Sequence, residues 1–200
     1  MPSSKAAWGI EVGAGAVKAI RLERSGSEVQ VTDFAYIEHK KVLTTPDLDH
    51  NEVIRLSLGQ LVSQKNFENE RVVMSVPGHS ALARFAKLPP VEPKKIPDIV
   101  KFEAVQQIPF PIDQVEWDYQ TFSAPDSPEV EVGIFAITKE KIADRLALYG
   151  ELGLTPEIVT LSPLAVYNAA VHDLETKPGP PLVILDIGTS ASHLIVAPHG

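Results

Sequence analysis

Residues 8–22 read WGIEVGAGAVKAIRL. An apolar run carries one acidic residue, Glu11, and ends at Gly13-Ala14-Gly15; a second apolar run then carries Lys18. Apolar runs on either side of a glycine turn are the pattern of two antiparallel strands joined tightly. The pattern returns at residues 182–196, LVILDIGTSASHLIV, where Asp186 takes the acidic place and Gly188 opens the turn. Two such hairpins imply two halves built alike, facing one another across a cleft.

Outward from the first hairpin, Ser25-Gly26-Ser27 turns the chain into a third strand over 28–37. A meander of this kind has one face to bury. The helix expected over 52–64 supplies the cover, with Ile54, Leu58, Leu61 and Val62 in one stripe and Asp49 with Glu52 as a capping box. Residues 71–76, RVVMSV, read as a buried strand that Pro77-Gly78 ends. The middle differs in character. A strand over 83–88 leads to a loop rich in proline, then a helix over 97–107 expected to bury Ile99, Phe102 and Val105 or Gln106. Strands follow over 115–122 and 129–137, with a turn at 124–128. Thr138 caps a helix running to about residue 152, with Ile142, Leu146 and Tyr149 inward and Gly150 or Gly153 at its end. A short strand over 156–161 precedes Ser162-Pro163, read as N-cap and first turn of a helix to Leu174. The stretch TKPGPP at 176–181 reads as linker and hinge. The fold class is therefore α/β. The expected divisions are a first-half core over 1–81, an inserted subdomain over 82–160, a return helix and linker over 161–180, and the truncated start of a second half over 181–200. Because the chain stops just after the repeated hairpin, a piece of a longer protein is expected.

The chain has 200 residues, of which 44% are hydrophobic and 22% charged, an ordinary globular composition. It has no cysteine, which excludes disulfides and thiolate metal sites and fits a cytosolic setting. The net charge is −8 and the 18 Lys and Arg are scattered, so no basic stripe offers a nucleic-acid surface. No apolar run is long enough to insert into a membrane, and the N-terminus lacks the apolar centre of a signal peptide. His39, His50, His79, His172, His193 and His199 show no ligand spacing. Ser75, Ser162 and Ser192 lack a G-x-S-x-G setting. Asp113, Glu116 and Asp118 beside Trp117 read as a solvated face. Neither G-x-x-x-x-G-K-[ST] nor G-x-G-x-x-G occurs.

The hairpins carry the chemistry. A tight turn can aim several backbone N–H groups into one concavity that holds an anion. Glycine serves where φ is positive or the backbone approaches closely. Ala14, Gly15 and Ala16, and Thr189, Ser190 and Ala191, leave room for phosphate oxygens. A carboxylate at the end of the preceding strand can hold Mg²⁺ through water, and Lys18 can sit beside a phosphate. The plainer alternative is that Glu11 is a strand-end charge with Lys18 as its partner.

At this point the residues resemble a known family. GIEVGAGAVKAIRL and LVILDIGTSASHLIV resemble the two phosphate motifs of the actin-like (ribonuclease H-like) ATPases. Residues 102–120, FEAVQQIPFPIDQVEWDYQ, resemble a segment of the PilM family of type IV pilus assembly proteins. Ser75-Val76-Pro77-Gly78 and Leu161-Ser162-Pro163 also sit where that family has them. The resemblance implies an actin-like first half with an FtsA/PilM-type inserted subdomain. It implies ATP and Mg²⁺ as ligands, with Glu11 and Asp186 facing the metal. Gly13, Gly15 and Lys18 would lie along one phosphate hairpin, and Gly188, Thr189 and Ser190 along the other.

The resemblance further implies a cytoplasmic scaffold under the inner membrane that binds the N-terminal tail of a PilN-like membrane protein in a groove beside the insert. Other pilus platform proteins and self-association are further expected partners; nucleic acid and direct membrane insertion are not. In this family the first hairpin normally carries aspartate where this chain has Glu11, whose extra methylene moves the carboxylate out by about 1.5 Å. Three functions compete: an ATP-binding platform, an active ATPase or phosphotransferase (at most a weak ATPase), and a GspL-like secretion component that has lost nucleotide.

Overall fold

The computed structural model describes residues 5–123, 129–173 and 182–197. The turn read at 124–128, the helix end at Leu174 and the linker at 176–181 lie outside them. In chain order the elements are β1 (Ala6–Val12), β2 (Ala16–Ser25), β3 (Glu28–Glu38), α1 (His50–Gln64) and β4 (Arg71–Val76). Then come β5 (Leu82–Leu88), α2 (Ile96–Gln107), β6 (Val115–Ser123), β7 (Val130–Thr138) and α3 (Lys139–Gly150). The chain continues with β8 (Pro156–Leu161), α4 (Ser162–Asp173), β9 (Leu182–Ile187) and β10 (Ser192–Ala197). It divides into two compact units, Met1–Gly78 with Leu146–Gly200, and His79–Arg145.

The larger unit holds a five-stranded sheet in the order β3-β2-β1-β4-β8. β1 runs antiparallel to β2, with Glu11 opposite Lys18, and parallel to β4, with Glu11 beside Ser75. Alternation decides its two faces. Ala6, Trp8, Ile10 and Val12 are buried on one side, together with Val17 and Ala19 of β2. α1 packs against β2 and β3 and buries Ile54, Leu58 and Leu61. The Asp49 carboxylate accepts the Glu52 N–H at 3.0 Å, as the capping box predicts. Trp8 fastens this layer, because its Nε1 donates to Asn66 O at 3.1 Å and its ring lies 4.9 Å from that of Phe67.

α3 closes with a left-handed Gly153 (φ +76°), whose N–H donates to Gly150 O at 3.0 Å, while Leu154 N–H donates to Tyr149 O at 3.0 Å. The same end meets α1, where Arg55 Nε donates to Glu151 Oε2 at 2.6 Å. The Arg55 guanidinium holds the Glu151 carboxyl below its usual range.

β8 pairs parallel with β4 and completes the larger sheet. The insert is therefore His79–Arg145 rather than 82–160. A strand whose partner lies on the far side of an insertion carries no local sign of that pairing, which is why sequence pattern left it with the insert. Ser162, read as an N-cap, serves another purpose: its hydroxyl donates to Val76 O at 3.2 Å and ties α4 to β4. β9 and β10 form a separate antiparallel pair with Leu194 opposite Leu185 and Val196 opposite Val183, all four exposed.

The smaller unit is an antiparallel sheet, β5-β7-β6, with α2 against one face. Its core joins Leu88, Val100, Ala104, Ile108, Val115, Val132, Ile134 and Ala136. This corrects the inward face expected for α2, since Phe102 is 63% and Val105 55% exposed. The buried row steps by four from Ile96 through Val100 and Ala104 to Ile108. Small Ala104 lets the helix approach the strands, a geometry that the choice of the bulkiest apolar residues misses.

Two outcomes are expected. Val100→Ala should cost about 2–3 kcal/mol and Phe102→Ala less than about 0.5 kcal/mol, read by urea unfolding with amide exchange in β7. Arg55→Gln should raise the Glu151 pKa towards its ordinary value, read by carboxyl NMR titration. A depressed carboxyl stabilises the fold above its unfolded pKa, and that contribution is lost as pH falls through the lower folded value. Loss of stability over this acid range should therefore be shallower in Arg55→Gln.

Candidate functional site

The site is built from two turns of the same geometry. In the first hairpin Gly13 N–H donates to Ala16 O at 2.9 Å; in the second Gly188 N–H donates to Ala191 O at 3.0 Å. Neither turn uses positive φ at its glycines. The glycines answer to close approach instead. A Cβ on Gly188 would lie 2.8 Å from Ala191 O, and one on Gly15 would lie 2.9 Å from Thr189 Oγ1. The second distance brings the tips of the two hairpins together, as their repetition in sequence implied.

The polar groups of the first turn sort by direction. Gly13 O lies 3.0 Å from His39 Nε2, Ala14 O accepts Leu43 N–H at 2.8 Å and Gly15 O accepts His39 N–H at 3.0 Å. The N–H groups of Ala14 and Gly15 have no partner among the described residues. Carbonyls held back and N–H groups left open are what an anion requires of a turn. Sequence reading passed over His39, whose only signal was its place just after a strand that pairs with the hairpin.

The charged residues are already engaged. Lys18 Nζ donates to Glu11 Oε2 at 3.1 Å across the β1–β2 ladder, the plainer reading of this pair. Asp186 Oδ2 lies 3.2 Å from His193 Nδ1, on the neighbouring strand of its own hairpin. Among the described residues no three His, Cys, Asp or Glu gather as a metal cage. A pair of carboxylates beside phosphate oxygens is the donor set that suits Mg²⁺, which keeps much of its water. By chemical type Glu11 and Asp186 suit such an ion, and each would have to be shared with or released by its present partner, Lys18 or His193.

Two of the family-like motifs meet beside the second hairpin. Ser162 Oγ lies 3.4 Å from Ser75 Oγ, and a Cβ on Gly78 would lie 2.8 Å from the Pro163 ring and 3.0 Å from His193 Nε2. The third, residues 102–120, runs from α2 into β6 of the smaller unit, with Ile108 in its core and Phe110 half exposed. The expected acidic face is solvated: Glu116 pairs with Lys139 at 3.6 Å, and Asp118 accepts the Tyr119 N–H at 2.8 Å.

A five-stranded β3-β2-β1-β4-β8 sheet, a repeated turn-bearing hairpin and a three-stranded insert after β4 make this an actin-like ATPase fold. A family model described as type IV pilus assembly protein PilM matches residues 9–200, and the chain belongs to that family. Among solved structures it superposes on a PilM–PilN type IV pilus biogenesis complex with a TM-score of 0.76 at 23% identity, over 96% of this chain and 58% of that one. It also matches the cytoplasmic domain of EpsL, an inner membrane component of the type II secretion system of Vibrio cholerae (TM-score 0.49, 8% identity, 96% and 71% covered). A third match is a Bacteroides thetaiotaomicron protein of actin-like ATPase fold and unknown function (TM-score 0.46, 12% identity, 98% and 67% covered). The chain thus spans 58% of the PilM chain it resembles.

Contact between the turns predicts coupling. Gly15→Ala should destabilise by about 1–3 kcal/mol, and adding Thr189→Ala should recover part of the loss. Gly188→Ala, which meets backbone, should not be rescued by Thr189→Ala. Thermal unfolding of the three single variants Gly15→Ala, Gly188→Ala and Thr189→Ala, the two doubles and the parent checks this as a pair of double-mutant cycles.

Proposed function

We propose that this protein is an ATP-binding scaffold of the type IV pilus assembly platform. It acts at the cytoplasmic side of the inner membrane through a PilN-like partner. The observation that carries the nucleotide part is the pair of like turns meeting at Gly15 and Thr189, with open N–H groups at Ala14 and Gly15. Gly13, Gly15 and Lys18 would line one side of the phosphates, and Gly188, Thr189 and Ser190 the other. Glu11 and Asp186 would hold Mg²⁺, which supplies positive charge to offset that of the phosphates. Glu11 stands where the family normally has aspartate, so the reading favours binding before turnover. Among the described residues no helix is long and apolar enough to cross a membrane.

For the partner, the smaller unit offers a recess of about 150 Å³ lined by Leu82, Phe110, Val115, Ala136, Ile137 and Lys141. Lys141 Nζ donates to Ser80 O at 3.3 Å at its edge. Apolar walls interrupted by His79, Ser80, Thr138 and Lys141 suit one or two side chains of an extended peptide with both apolar and polar contacts, such as a membrane protein's short N-terminal tail. Other platform proteins and further copies of the chain are partners of the whole assembly in this reading.

A second reading has one observation in its favour. Glu11 already has Lys18 at 3.1 Å, so the hairpin is electrostatically complete without a metal. The protein would then be a scaffold that has lost nucleotide.

Calorimetry on the full-length protein separates the two. Mg-ATP should bind, and Asp186→Ala should weaken it at least about tenfold, the equivalent of one charge-assisted contact. No binding by the parent supports the second reading, and equal affinity of parent and variant contradicts the two-turn clamp. A PilN-type tail peptide should bind without ATP, and Phe110→Ala should weaken it by about 1–2 kcal/mol. Unchanged peptide affinity in Phe110→Ala would remove the recess from the account.

A further inference from the structure

His39 follows β3, is only 9% exposed, and faces no solvent task. Its three polar contacts all concern the first turn or the helix behind it. The backbone N–H donates to Gly15 O at 3.0 Å, Nε2 lies 3.0 Å from Gly13 O, and Nδ1 lies 2.7 Å from the hydroxyl of buried Ser57 on α1. The chemistry of the partners decides the tautomer. A carbonyl oxygen can only accept, so Nε2 carries the proton towards Gly13. Nδ1 is then left with its lone pair and accepts the Ser57 hydroxyl hydrogen.

The consequence reaches the open side of the turn through peptide planarity. In a trans peptide the C=O of one residue and the N–H of the next point in opposite directions. Drawing Gly13 O, Ala14 O and Gly15 O towards His39 and Leu43 therefore turns the N–H groups of Ala14, Gly15 and Ala16 the other way. Without the Nε2 contact, the Gly13–Ala14 peptide is free to rotate. Its N–H would then no longer be held ready.

We propose that His39 is a positioning residue for the phosphate turn. It clamps Gly13 O, Ser57 fixes the ring tautomer that makes the clamp possible, and together they pre-organise the turn's N–H groups for an anion. The role rests on the nucleotide reading given above. It adds a mechanical link, from α1 through Ser57 and His39 to the turn, that no phosphate-motif pattern contains.

The test compares His39→Gln with His39→Asn in the full-length protein. Glutamine reaches as far as Nε2 and can donate to Gly13 O. Asparagine reaches only as far as Nδ1 and keeps at most the Ser57 contact. Nitrogen-15 NMR of the parent should show the Nε2–H tautomer. In nucleotide-free protein, amide exchange at Gly13 and Leu43, whose N–H groups donate to Ala16 O and Ala14 O and close the turn, should accelerate about tenfold in His39→Asn, the equivalent of one lost hydrogen bond, and stay near parent in His39→Gln. Mg-ATP affinity should fall about tenfold in His39→Asn and be retained in His39→Gln. A merely structural histidine would lower the melting temperature of both variants alike and leave affinity unmoved, and that result overturns the role. A parent that binds Mg-ATP with both variants equal to it overturns the role while the nucleotide reading stands. A parent that binds no Mg-ATP, while turn exchange still responds to His39→Asn, overturns the nucleotide reading and the anion role with it. An Nδ1–H tautomer in the parent overturns the clamp directly.

Discussion

β1 is hydrogen-bonded along both edges, antiparallel to β2 and parallel to β4, and the rest of the larger unit depends on that double pairing. A strand paired on both sides cannot slip by one residue without turning Trp8, Ile10 and Val12 out of the core. The register therefore settles which end of the sheet carries the Gly13–Gly15 turn, and it places Glu11 between Lys18 and Ser75. The parallel half of the pairing requires a crossover, which α1 provides, capped by Asp49 and packed on the meander.

At the turn itself, backbone bookkeeping matters more than side-chain charge. The carbonyls of Gly13, Ala14 and Gly15 are all occupied from the β3 side. The acidic side chains, by contrast, already have partners: Lys18 for Glu11 and His193 for Asp186. Both pairs are partly exposed, where water weakens the attraction and partners exchange at little cost. An incoming magnesium–phosphate group would thus meet carboxylates that are paired but not locked, and N–H groups already pointed.

Much of this was legible in sequence because it is local. The hairpins, the Asp49 cap, the stripe Ile54-Leu58-Leu61 and the strand at 71–76 each declare themselves within a few residues. The repetition of an acidic strand end before a glycine turn was also visible, and the residues at 102–120 pointed to the family. What failed was non-local. The pairing of β8 with β4 has no signature in PEIVTL, so sequence pattern alone groups this strand with the segment before it. The inward face of α2 was misjudged because Phe102 is large and Ala104 small, whereas close packing against β7 needs the reverse. Ser162 was read for the helix it starts, not for the strand it holds. His39 was dismissed because six histidines lacked metal spacing; its role is to a backbone carbonyl, for which no spacing rule exists.

The central claim is that the two turns act together on one phosphate-bearing ligand. The most direct measurement is an amide NMR titration of the isotopically labelled full-length protein with Mg-ATP. The account predicts that the amide signals of Gly13, Ala14 and Gly15 and those of Gly188, Thr189 and Ser190 shift along one shared binding curve. Shifts confined to a single turn, or none at either while the ligand binds elsewhere, would contradict it.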